Sequence, residues 1–394
     1  MKEQQLLKCT YMRGGTSKAV FFKKNELPEN EERRDEIIKA VFGTDVRQID
    51  GMGGADITTS KVAIISQSER SDADVDYNFG QVQIGENFIV WDNNCGNISS
   101  AVGPYAIDEG MVKVTDPITE VRIHNTNTQK VLIARVETKE GLAAVHGDFV
   151  LDGVPGTGSK IELDYKMTYG AATGRLLPTG NVVDTLDVQG VGEIAVSIVD
   201  IANPVCFVKA EDIGLRGDES KPELKANKDV LKKLEAIRAK AALTCGFVNN
   251  VDDATLKSPT RPMIAFVSSA HDYTDYVTGK TIHEKDLDFL SRVIWNQEPV
   301  DTYTGTGTVC TCVASQIEGT LVNQVCGSEP QKSGLVRFGH GRGINSVFTE
   351  VFKENNEFVV KKAVFNRTAR RIMDGYVYVK NENMGLPVQK GTSK

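Results

Sequence analysis

Two cysteines of this chain stand in similar surroundings that suit the binding of an anion. Cys95 precedes Gly96-Asn97, Cys310 follows a Gly/Thr-rich turn, and each lies close to the expected start of an apolar helix. A helix N-terminus gathers unsatisfied N–H groups and the positive end of the helix dipole, so it binds carboxylate or phosphate and activates a thiol. Cysteine is also among the most buried residue types. The matching contexts leave both interpretations open: two reactive thiols or two buried side chains.

Lys61 stands at the mouth of a strand-like segment that looks buried. It follows Thr58-Thr59-Ser60 and opens an apolar run. A lysine in such a place is commonly a rim residue with its ammonium group in water. A partly desolvated lysine is instead a competent general base. The spacing alone leaves both interpretations open.

Two glycine-rich segments, residues 14–18 and 51–56, are backbone-permissive turns that can bring N–H groups close to an anion. Either is equally consistent with an ordinary tight turn, and neither matches a dinucleotide-binding fingerprint. Residues 153–160 resemble a phosphate-binding loop. However, Ser159 interrupts the motif, and Ile161 stands where Ser or Thr should follow. We therefore expect no phosphate loop there.

The elements that would position these residues are mostly strands. Segments rich in β-branched and aromatic residues predict strands at 19–22, 62–65, 88–91, 130–134, 195–199, 205–208, 263–267 and 376–379. Helical spacing of apolar residues predicts surface helices at 32–42 and 225–242. Two apolar segments with small residues, 99–112 and 313–325, predict buried helices behind the two cysteines. The expected organisation is one mostly-β half with a buried helix, followed by another.

The composition is that of a folded protein long enough for two domains. The chain has 394 residues, of which 40% are apolar and 25% are charged, whereas a single domain has about 100–200 residues. Pro, Gly and Asn within 176–181 interrupt regular structure and predict a boundary there. The formal net charge is −7 without a basic block. This argues against nucleic acid or an anionic membrane surface as a partner.

No pattern predicts export, a disulfide framework or a metal site. No apolar run approaches the length of a membrane helix, and the first five residues are too polar for a signal peptide, so we expect a soluble, cytosolic protein. The seven cysteines are odd in number and scattered, which does not suit disulfides in that compartment. Cys310 and Cys312 have no second Cys or His pair nearby to complete a zinc site. No metal is therefore expected.

The same motifs, taken together and in order along nearly the whole chain, resemble the PrpF family. The segments that carry the resemblance are Met12-Arg13-Gly14-Gly15-Thr16-Ser17-Lys18, Ser60-Lys61-Val62-Ala63, Asn94-Cys95-Gly96-Asn97-Ile98-Ser99-Ser100-Ala101-Val102-Gly103-Pro104, Leu177-Pro178-Thr179-Gly180-Asn181, Asp200-Ile201-Ala202-Asn203-Pro204-Val205, Thr306-Gly307-Thr308-Val309-Cys310 and Arg367-Thr368-Ala369-Arg370-Arg371-Ile372-Met373-Asp374-Gly375.

The resemblance implies an α+β, mostly-β fold of two diaminopimelate-epimerase-like domains, each a barrel-like sheet around a central helix, with the active site in the cleft between them. The implied domains are 1–183, completed by a C-terminal strand at about 375–394, and 184–374. The family includes methylaconitate cis-trans isomerase, methylitaconate delta-isomerase and 4-oxalomesaconate tautomerase. It catalyses cofactor-free 1,3-proton shifts in unsaturated di- and tricarboxylates. A small polycarboxylate substrate, no cofactor and a homodimer are the corresponding expectations.

The resemblance also implies roles for single residues. Lys61 matches the catalytic base, and Cys95 matches the active-site cysteine. Charge that develops on carboxylate oxygens needs donors around it, and the expected substrate-binding residues are Thr16, Ser17, Ser60, Gly96, Asn97, Thr306, Gly307, Thr308, Cys310 and Arg342. Arg342 lies in Gly339-His340-Gly341-Arg342-Gly343, where the family has Gly-His-Pro-Ser-Gly. It is expected either to clamp a carboxylate or to pair with a surface acid.

Three functions follow from these observations. The favoured one is an isomerase of small unsaturated polycarboxylates. A two-thiol racemase or epimerase, acting on an α-carbon through Cys95 and Cys310, is the second. A non-catalytic protein that holds a tricarboxylate for a partner enzyme is the third. Lys61 together with the Gly-Thr-Ser turn favours the isomerase.

Overall fold

The computed structural model describes residues 3–91 and 94–380, which fold into two compact units. Unit 1 consists of residues up to 162 together with those from 367 onward, and unit 2 consists of 163–366. Residues 163–183, which the sequence analysis assigned to the first domain, thus group with unit 2. Residues 367–374 group with unit 1. The part of the expected C-terminal strand beyond Lys380 lies outside the described residues.

In the part of the chain that the structure describes, unit 1 combines β-sheets with two α-helices. Its strands are β1 Gln4–Gly14, β2 Ser17–Lys23, β3 Lys61–Gln67, β4 Val75–Val82, β5 Ile89–Val90, β6 Ile118–Asn125, β7 Lys130–Lys139, β8 Leu142–Ala143, β9 Phe149–Val150, β10 Thr157–Gly158 and, from the end of the chain, β23 Ala369–Lys380. Its helices are α1 Glu31–Phe42 and α2 Gly96–Asp108. Strand β11, Ile161–Asp164, crosses the border between the units.

Unit 2 repeats this combination with more helices. Its strands are β12 Asp184–Val188, β13 Gly192–Ile201, β14 Asn203–Lys209, β15 Met263–Ser269, β16 Tyr273–Thr274, β17 Thr281–Ile282, β18 Phe289–Trp295, β19 Glu298–Val300, β20 Leu335–His340, β21 Gly343–Glu354 and β22 Glu357–Arg367. Its helices are α3 Lys221–Ala226, α4 Lys228–Thr244, α5 Ala254–Lys257, α6 Gly305–Gln316, α7 Leu321–Val325 and α8 Glu329–Ser333.

The strand order of unit 1 brings distant segments together. β1 and β2 form an antiparallel hairpin, β23 pairs antiparallel with the other edge of β1, β3 runs parallel to β2, and β4 runs antiparallel to β3. The C-terminal strand therefore completes the N-terminal unit. α1 packs with Val20, Val62 and Ile64 in one apolar core, while α2 contacts the sheet through β1, β2, β6, β7 and β23.

Helix α2 is a buried central helix because its residues are small and apolar. Between Gly96 and Asp108 nearly all of its side chains are buried, and Gly103 has no room for a side chain, since a Cβ there would lie 2.9 Å from Val136. At its other end, Arg371 of β23 pairs with Glu109 at 2.9 Å, and Lys23 of β2 pairs with the same carboxylate at 2.8 Å. These cations stabilise the negative end of the helix dipole.

Helix α6 is the buried counterpart in unit 2, with Gly305–Ser315 all buried. It contacts β13, β14, β20 and β21. Apolar residues of α4, among them Leu234 and Ile237, form a separate hydrophobic core with strand residues such as Val196 and Phe266. The organisation expected from the sequence, a mostly-β half with a buried helix and then another, is confirmed.

Local predictions were mostly correct, with two differences. All eight predicted strand segments lie in or overlap strands. The surface helix expected at 225–242 is divided at Asn227, whose side chain caps α4. The buried helix expected at 313–325 is instead two helices, α6, which begins at Gly305 and ends at Gln316, and α7 at Leu321–Val325. Thr304 stabilises that earlier start, because its hydroxyl accepts the N–H of Gly307. Among the described residues, no helix is both long and apolar enough to cross a membrane.

Candidate active site

Lys61 begins β3 and lies in a row of directly opposed residues across four strands. Met12 of β1 faces Ala19 of β2, Ala19 faces Lys61, and Lys61 faces Gln81 of β4. Opposed residues in neighbouring strands point to the same side of a sheet. Gly14, two positions after Met12, packs against the first turn of α2, where a Cβ would lie 2.5 Å from the Asn97 carbonyl oxygen. Lys61 therefore projects on the α2 side of the sheet.

The amine of Lys61 is largely withdrawn from solvent. The residue is 6% exposed, and Nζ lies 2.5 Å from Gln81 Oε1 and 5.2 Å from the centre of the Phe79 ring. Burial and a neutral partner are the surroundings in which a lysine acts as a base. The rim-residue interpretation of Lys61 does not hold, because the side chain does not reach water as a rim lysine does.

Cys95 lies at the N-cap of α2, immediately before Gly96, the first helical residue. The thiol is partly exposed, and among the described residues the Cys95 side chain makes no capping hydrogen bond to the first turn. Within residues 3–91 and 94–380, the N–H groups that begin α2 are thus left for another acceptor. An uncapped helix start of this kind binds carboxylate.

Asn97 joins this helix start to the β1–β2 turn. Its side-chain amide Nδ2 lies 3.0 Å from Thr16 Oγ1 and 3.3 Å from Ser17 Oγ. Gly15 makes the close approach possible, since its φ is +51° and a Cβ would lie 2.2 Å from Asn97 Oδ1. Four predicted substrate-binding residues, Thr16, Ser17, Gly96 and Asn97, therefore meet at the start of α2.

Ser60 differs from the expectation that it binds substrate. Its hydroxyl is fully buried and donates to Gln48 Oε1 at 2.6 Å. The same oxygen accepts the N–H of Ala55 at 2.9 Å. Ser60 thus fastens the loop before β3. Its hydroxyl proton is already used inside the unit, so Ser60 has none to donate to a substrate.

A similar junction forms in unit 2 between a hairpin turn and α6. Asn203, after the turn at Ala202, donates from Nδ2 to Thr306 Oγ1 at 2.9 Å. The other two predicted donors of this turn are engaged internally. The N–H of Gly307 donates to Thr304 Oγ1 at 3.0 Å, and the hydroxyl of Thr308 donates to the Thr304 carbonyl oxygen at 2.9 Å.

Cys310 does not occupy a helix start. It lies inside α6, is fully buried, and its thiol donates to the carbonyl oxygen of Val199 at 3.2 Å. Burial raises the pKa of Cys310, so the thiol stays protonated. Cys310 therefore fits the interpretation as a buried side chain, and its expected contact with substrate stays a prediction.

Arg342 pairs with an acid, as the second of its two expected roles has it, but that acid is buried rather than on the surface. Its Nε donates to Asp275 Oδ1 at 2.9 Å, and Asp275 is 4% exposed. Burial by itself raises the pKa of Asp275, but hydrogen bonds from Thr278 and the Val277 N–H, together with the charge of Arg342, outweigh it and hold the pKa below its ordinary value. Arg342 is thus bound to an acid of its own unit.

Three residues at these junctions were missed by the sequence analysis as candidates. Gln81 contacts the amine of Lys61, Asn203 contacts Thr306, and Thr304 caps α6. Thr304 had a usable signal, because a Thr directly before a Gly-Thr-Gly segment is a typical N-cap. Gln81 had none, since its role depends on strand register.

Within residues 3–91 and 94–380, no group of three or more His, Cys, Asp or Glu side chains is arranged to hold a metal ion. The donors gathered around α2 are hydroxyls, an amide and backbone N–H groups, and such a set suits a carboxylate rather than a cation.

Comparison with known proteins identifies the family. A profile described as PrpF protein matches residues 4–380. This chain belongs to the PrpF family. The 3-methylitaconate isomerase of Eubacterium barkeri is 49% identical over 385 residues, which are 98% of this chain and 100% of that relative. The crystal structure of methylitaconate-delta-isomerase has a TM-score of 0.86 and 48% identity, with 100% of both chains covered.

The fold of this PrpF protein is also that of more distant enzymes. A probable proline racemase from Agrobacterium radiobacter K84 has a TM-score of 0.52 at 11% identity, with 95% of this chain and 93% of that chain covered. At that identity the likeness concerns the fold alone. The predicted family, the mostly-β racemase- and epimerase-like fold and the isomerase class are confirmed.

Proposed function

We propose that this PrpF protein catalyses a cofactor-independent 1,3-proton shift in a small unsaturated di- or tricarboxylate, with Lys61 as the base. The supporting observation is the position of Lys61: a buried amine with a neutral partner, on the side of the sheet that packs against α2. The relative named 3-methylitaconate isomerase makes methylitaconate the first acid to test. Methylaconitate and oxalomesaconate follow from the family resemblance.

The reaction starts with a proton on an allylic carbon of the substrate. The C–H bond breaks, the proton moves to Lys61 Nζ, and the electron pair spreads through the double bond into the carboxylate oxygens as a dienolate. A new C–H bond then forms at the far end of the system, with the proton returned by an acid, and the double bond has moved. No atoms or electrons are gained or lost, so the step needs no redox partner.

Negative charge on the carboxylate oxygens is the unstable feature of this intermediate. The uncapped N–H groups at the start of α2, with Thr16 and Ser17 beside them, can stabilise that charge by fixed hydrogen-bond donors. Cys95 at the N-cap can supply the returning proton, because its thiol is partly exposed at the same helix start. Exchange with water then removes the proton from Lys61 Nζ and restores one to the Cys95 thiolate.

The decisive experiment is proton exchange in D2O. Purified protein is incubated with methylitaconate, methylaconitate or oxalomesaconate in the presence of EDTA, and NMR follows deuterium in each position. We expect deuterium at an allylic carbon together with the shifted isomer, and neither with Lys61→Ala. Exchange at an amino-acid α-carbon would indicate the racemase instead. Tight binding without exchange would indicate the non-catalytic carboxylate-binding protein.

The racemase remains the weaker alternative because it needs two ionisable thiols, and Cys310 is a buried hydrogen-bond donor. The cytoplasmic location, the homodimer and the independence from cofactors stay predictions. Activity that disappears with EDTA and returns with a divalent ion would contradict the last of these.

A further inference from the structure

Among residues 3–91 and 94–380, the contacts of the Lys61 amine are with neutral groups, and it forms no ion pair with a carboxylate. Nζ contacts the amide oxygen of Gln81 at 2.5 Å and faces the Phe79 ring at 5.2 Å. Gln81 is itself 5% exposed and lies directly opposite Lys61 in the β3–β4 register. The amine is therefore held from one side by a neutral group that the sheet itself places there.

The orientation of the Gln81 amide is fixed by its other end. Nε2 lies 2.9 Å from the carbonyl oxygen of Ser60, 3.3 Å from that of Ile57 and 3.4 Å from that of Val82. Carbonyl oxygens only accept hydrogen bonds, so the NH2 group must face them. The amide oxygen is consequently directed at Lys61, and a rotated amide would place oxygen against oxygen.

We propose that Gln81 is the positioning residue of the base: it holds Lys61 Nζ in place while leaving the amine free to be neutral. This rests on the proposed role of Lys61. An amide oxygen accepts an N–H from either the amine or the ammonium form, so it holds Nζ at the same place in both protonation states. A carboxylate of the same size would favour the ammonium, which has no lone pair for a proton.

Gln81→Glu tests this directly, because the two side chains differ little in size and the variant adds one negative charge. An opposite charge in contact favours the charged form of the partner by about 1 to 3 pH units. We expect kcat at pH 7.5 to fall about 10- to 1,000-fold, KM to change less than threefold, and the rising limb of the kcat–pH profile to move to higher pH by about the same 1 to 3 units.

Gln48→Glu is the matched control. Gln48 is also a buried glutamine, 1% exposed, but its oxygen accepts from Ser60 Oγ and the Ala55 N–H rather than from an amine. A glutamate there keeps both acceptor roles. We expect its pH profile to stay within half a unit of that of the wild type, so a shift confined to Gln81→Glu separates contact with Lys61 from a general effect of added charge.

A second readout does not depend on knowing the substrate. Acetic anhydride modifies the neutral amine of lysine, and peptide mapping measures the rate at Lys61. At pH 8 we expect that rate to fall tenfold or more in Gln81→Glu and to stay unchanged in Gln48→Glu. This result in a protein that isomerises no acid tested would support the role of Gln81 and contradict the proposed function.

The inference is overturned if Gln81→Glu keeps the kcat, the pH profile and the Lys61 labelling rate of the wild type. If thermal unfolding shows that Gln81→Glu does not fold, the Gln81→Met variant tests whether Gln81 positions Lys61. It keeps the side-chain length but replaces the amide oxygen with a thioether, which is only a weak acceptor for Nζ. A tenfold loss of kcat at constant KM, with the pH profile unmoved, supports positioning, and a wild-type kcat contradicts it.

Discussion

Cys95 and Thr304 occupy the same position in their respective helices. Each is the N-cap residue, and each is followed by a glycine that begins the buried central helix of its unit. The two ends differ in chemistry. The Thr304 hydroxyl accepts the N–H of Gly307 and closes its helix start, whereas the Cys95 side chain makes no such bond among the described residues. The position in unit 2 that corresponds to Cys95 therefore holds a hydroxyl and not a thiol.

The two candidate cysteines should therefore respond differently to substitution. Cys95→Ser should lower kcat at least tenfold, because serine is a much weaker acid at the uncapped start of α2. Cys310→Ser should leave both kcat and KM within threefold and reduce the free energy of unfolding by about 1 to 3 kcal/mol, because it buries a more polar group. Steady-state kinetics and urea unfolding separate the two results.

Thiol labelling gives an independent check on the same pair. Burial raises the pKa of Cys310, and it raises the pKa values of Cys245 and Cys326 to about 12. We expect iodoacetamide at pH 7.5 to modify Cys95 before these three, and a polycarboxylate substrate to protect it. Equal kcat losses in the two serine variants, or labelling of Cys95 that no polycarboxylate slows, would contradict this assignment.

Lys61→Ala should remove most turnover without unfolding the protein. A general base contributes about 10²- to 10⁴-fold to the rate, so kcat should fall at least a hundredfold with a near-native thermal unfolding curve. Lys18→Ala is the control: Lys18 lies on the neighbouring strand next to Ala19, so its side chain projects on the other side of the sheet. A loss smaller than tenfold in Lys61→Ala would reassign the base.

Gly15→Ala should damage substrate binding more than stability. A Cβ at Gly15 would lie 2.2 Å from Asn97 Oδ1, so the Asn97 side chain must leave Thr16 and Ser17. We expect KM to rise at least tenfold. The left-handed backbone adds a strain of about 1–2 kcal/mol for any L side chain.

Gly110→Ala isolates that backbone strain. Its φ is +66°, but no atom lies within 4 Å of the added Cβ. We expect a similar loss in urea stability and an unchanged KM. Equal KM values in the two alanine variants would show that the Asn97 contact does not serve binding.

Arg342→Gln should change stability rather than catalysis, because Arg342 is bound to Asp275. The pKa of Asp275 is held below its ordinary value of 3.8. A carboxyl whose pKa is lower in the folded protein than in the unfolded chain stabilises the folded state at pH values above its pKa in the unfolded chain. That contribution is lost as the pH falls through its pKa in the folded protein. We expect the variant to be less stable by about 1 to 3 kcal/mol at pH 7, with the difference narrowing below about pH 3.8.

Urea unfolding of both proteins from pH 7 down to pH 3 measures this difference, and kinetics at pH 7.5 provide the comparison. A rise in KM of tenfold or more, without loss of stability, would restore the other expected role of Arg342, a clamp on the substrate carboxylate.

The sequence by itself determined the local elements of this protein and its family. Strands such as β2, β3 and β14 follow from runs of β-branched and aromatic residues, and the N-terminal position of Cys95 follows from a Gly-Asn turn before small apolar residues. These features depend on residues that are neighbours in the chain, so their propensities can be read directly. The motifs around Lys61 and Cys95 were sufficient for the family resemblance.

Only the tertiary structure decided which polar groups meet and which are buried. Gln81 reaches Lys61 across 20 positions of sequence and Arg342 reaches Asp275 across 67, and both contacts depend on how distant strands and loops align. Cys310 and Cys95 have similar sequence surroundings near an expected helix start. However, α6 begins at Gly305, which places Cys310 inside a packed core. Sheet register and helix packing are long-range properties, and a thiol or an amide carries no local signal of the partner that they will bring to it.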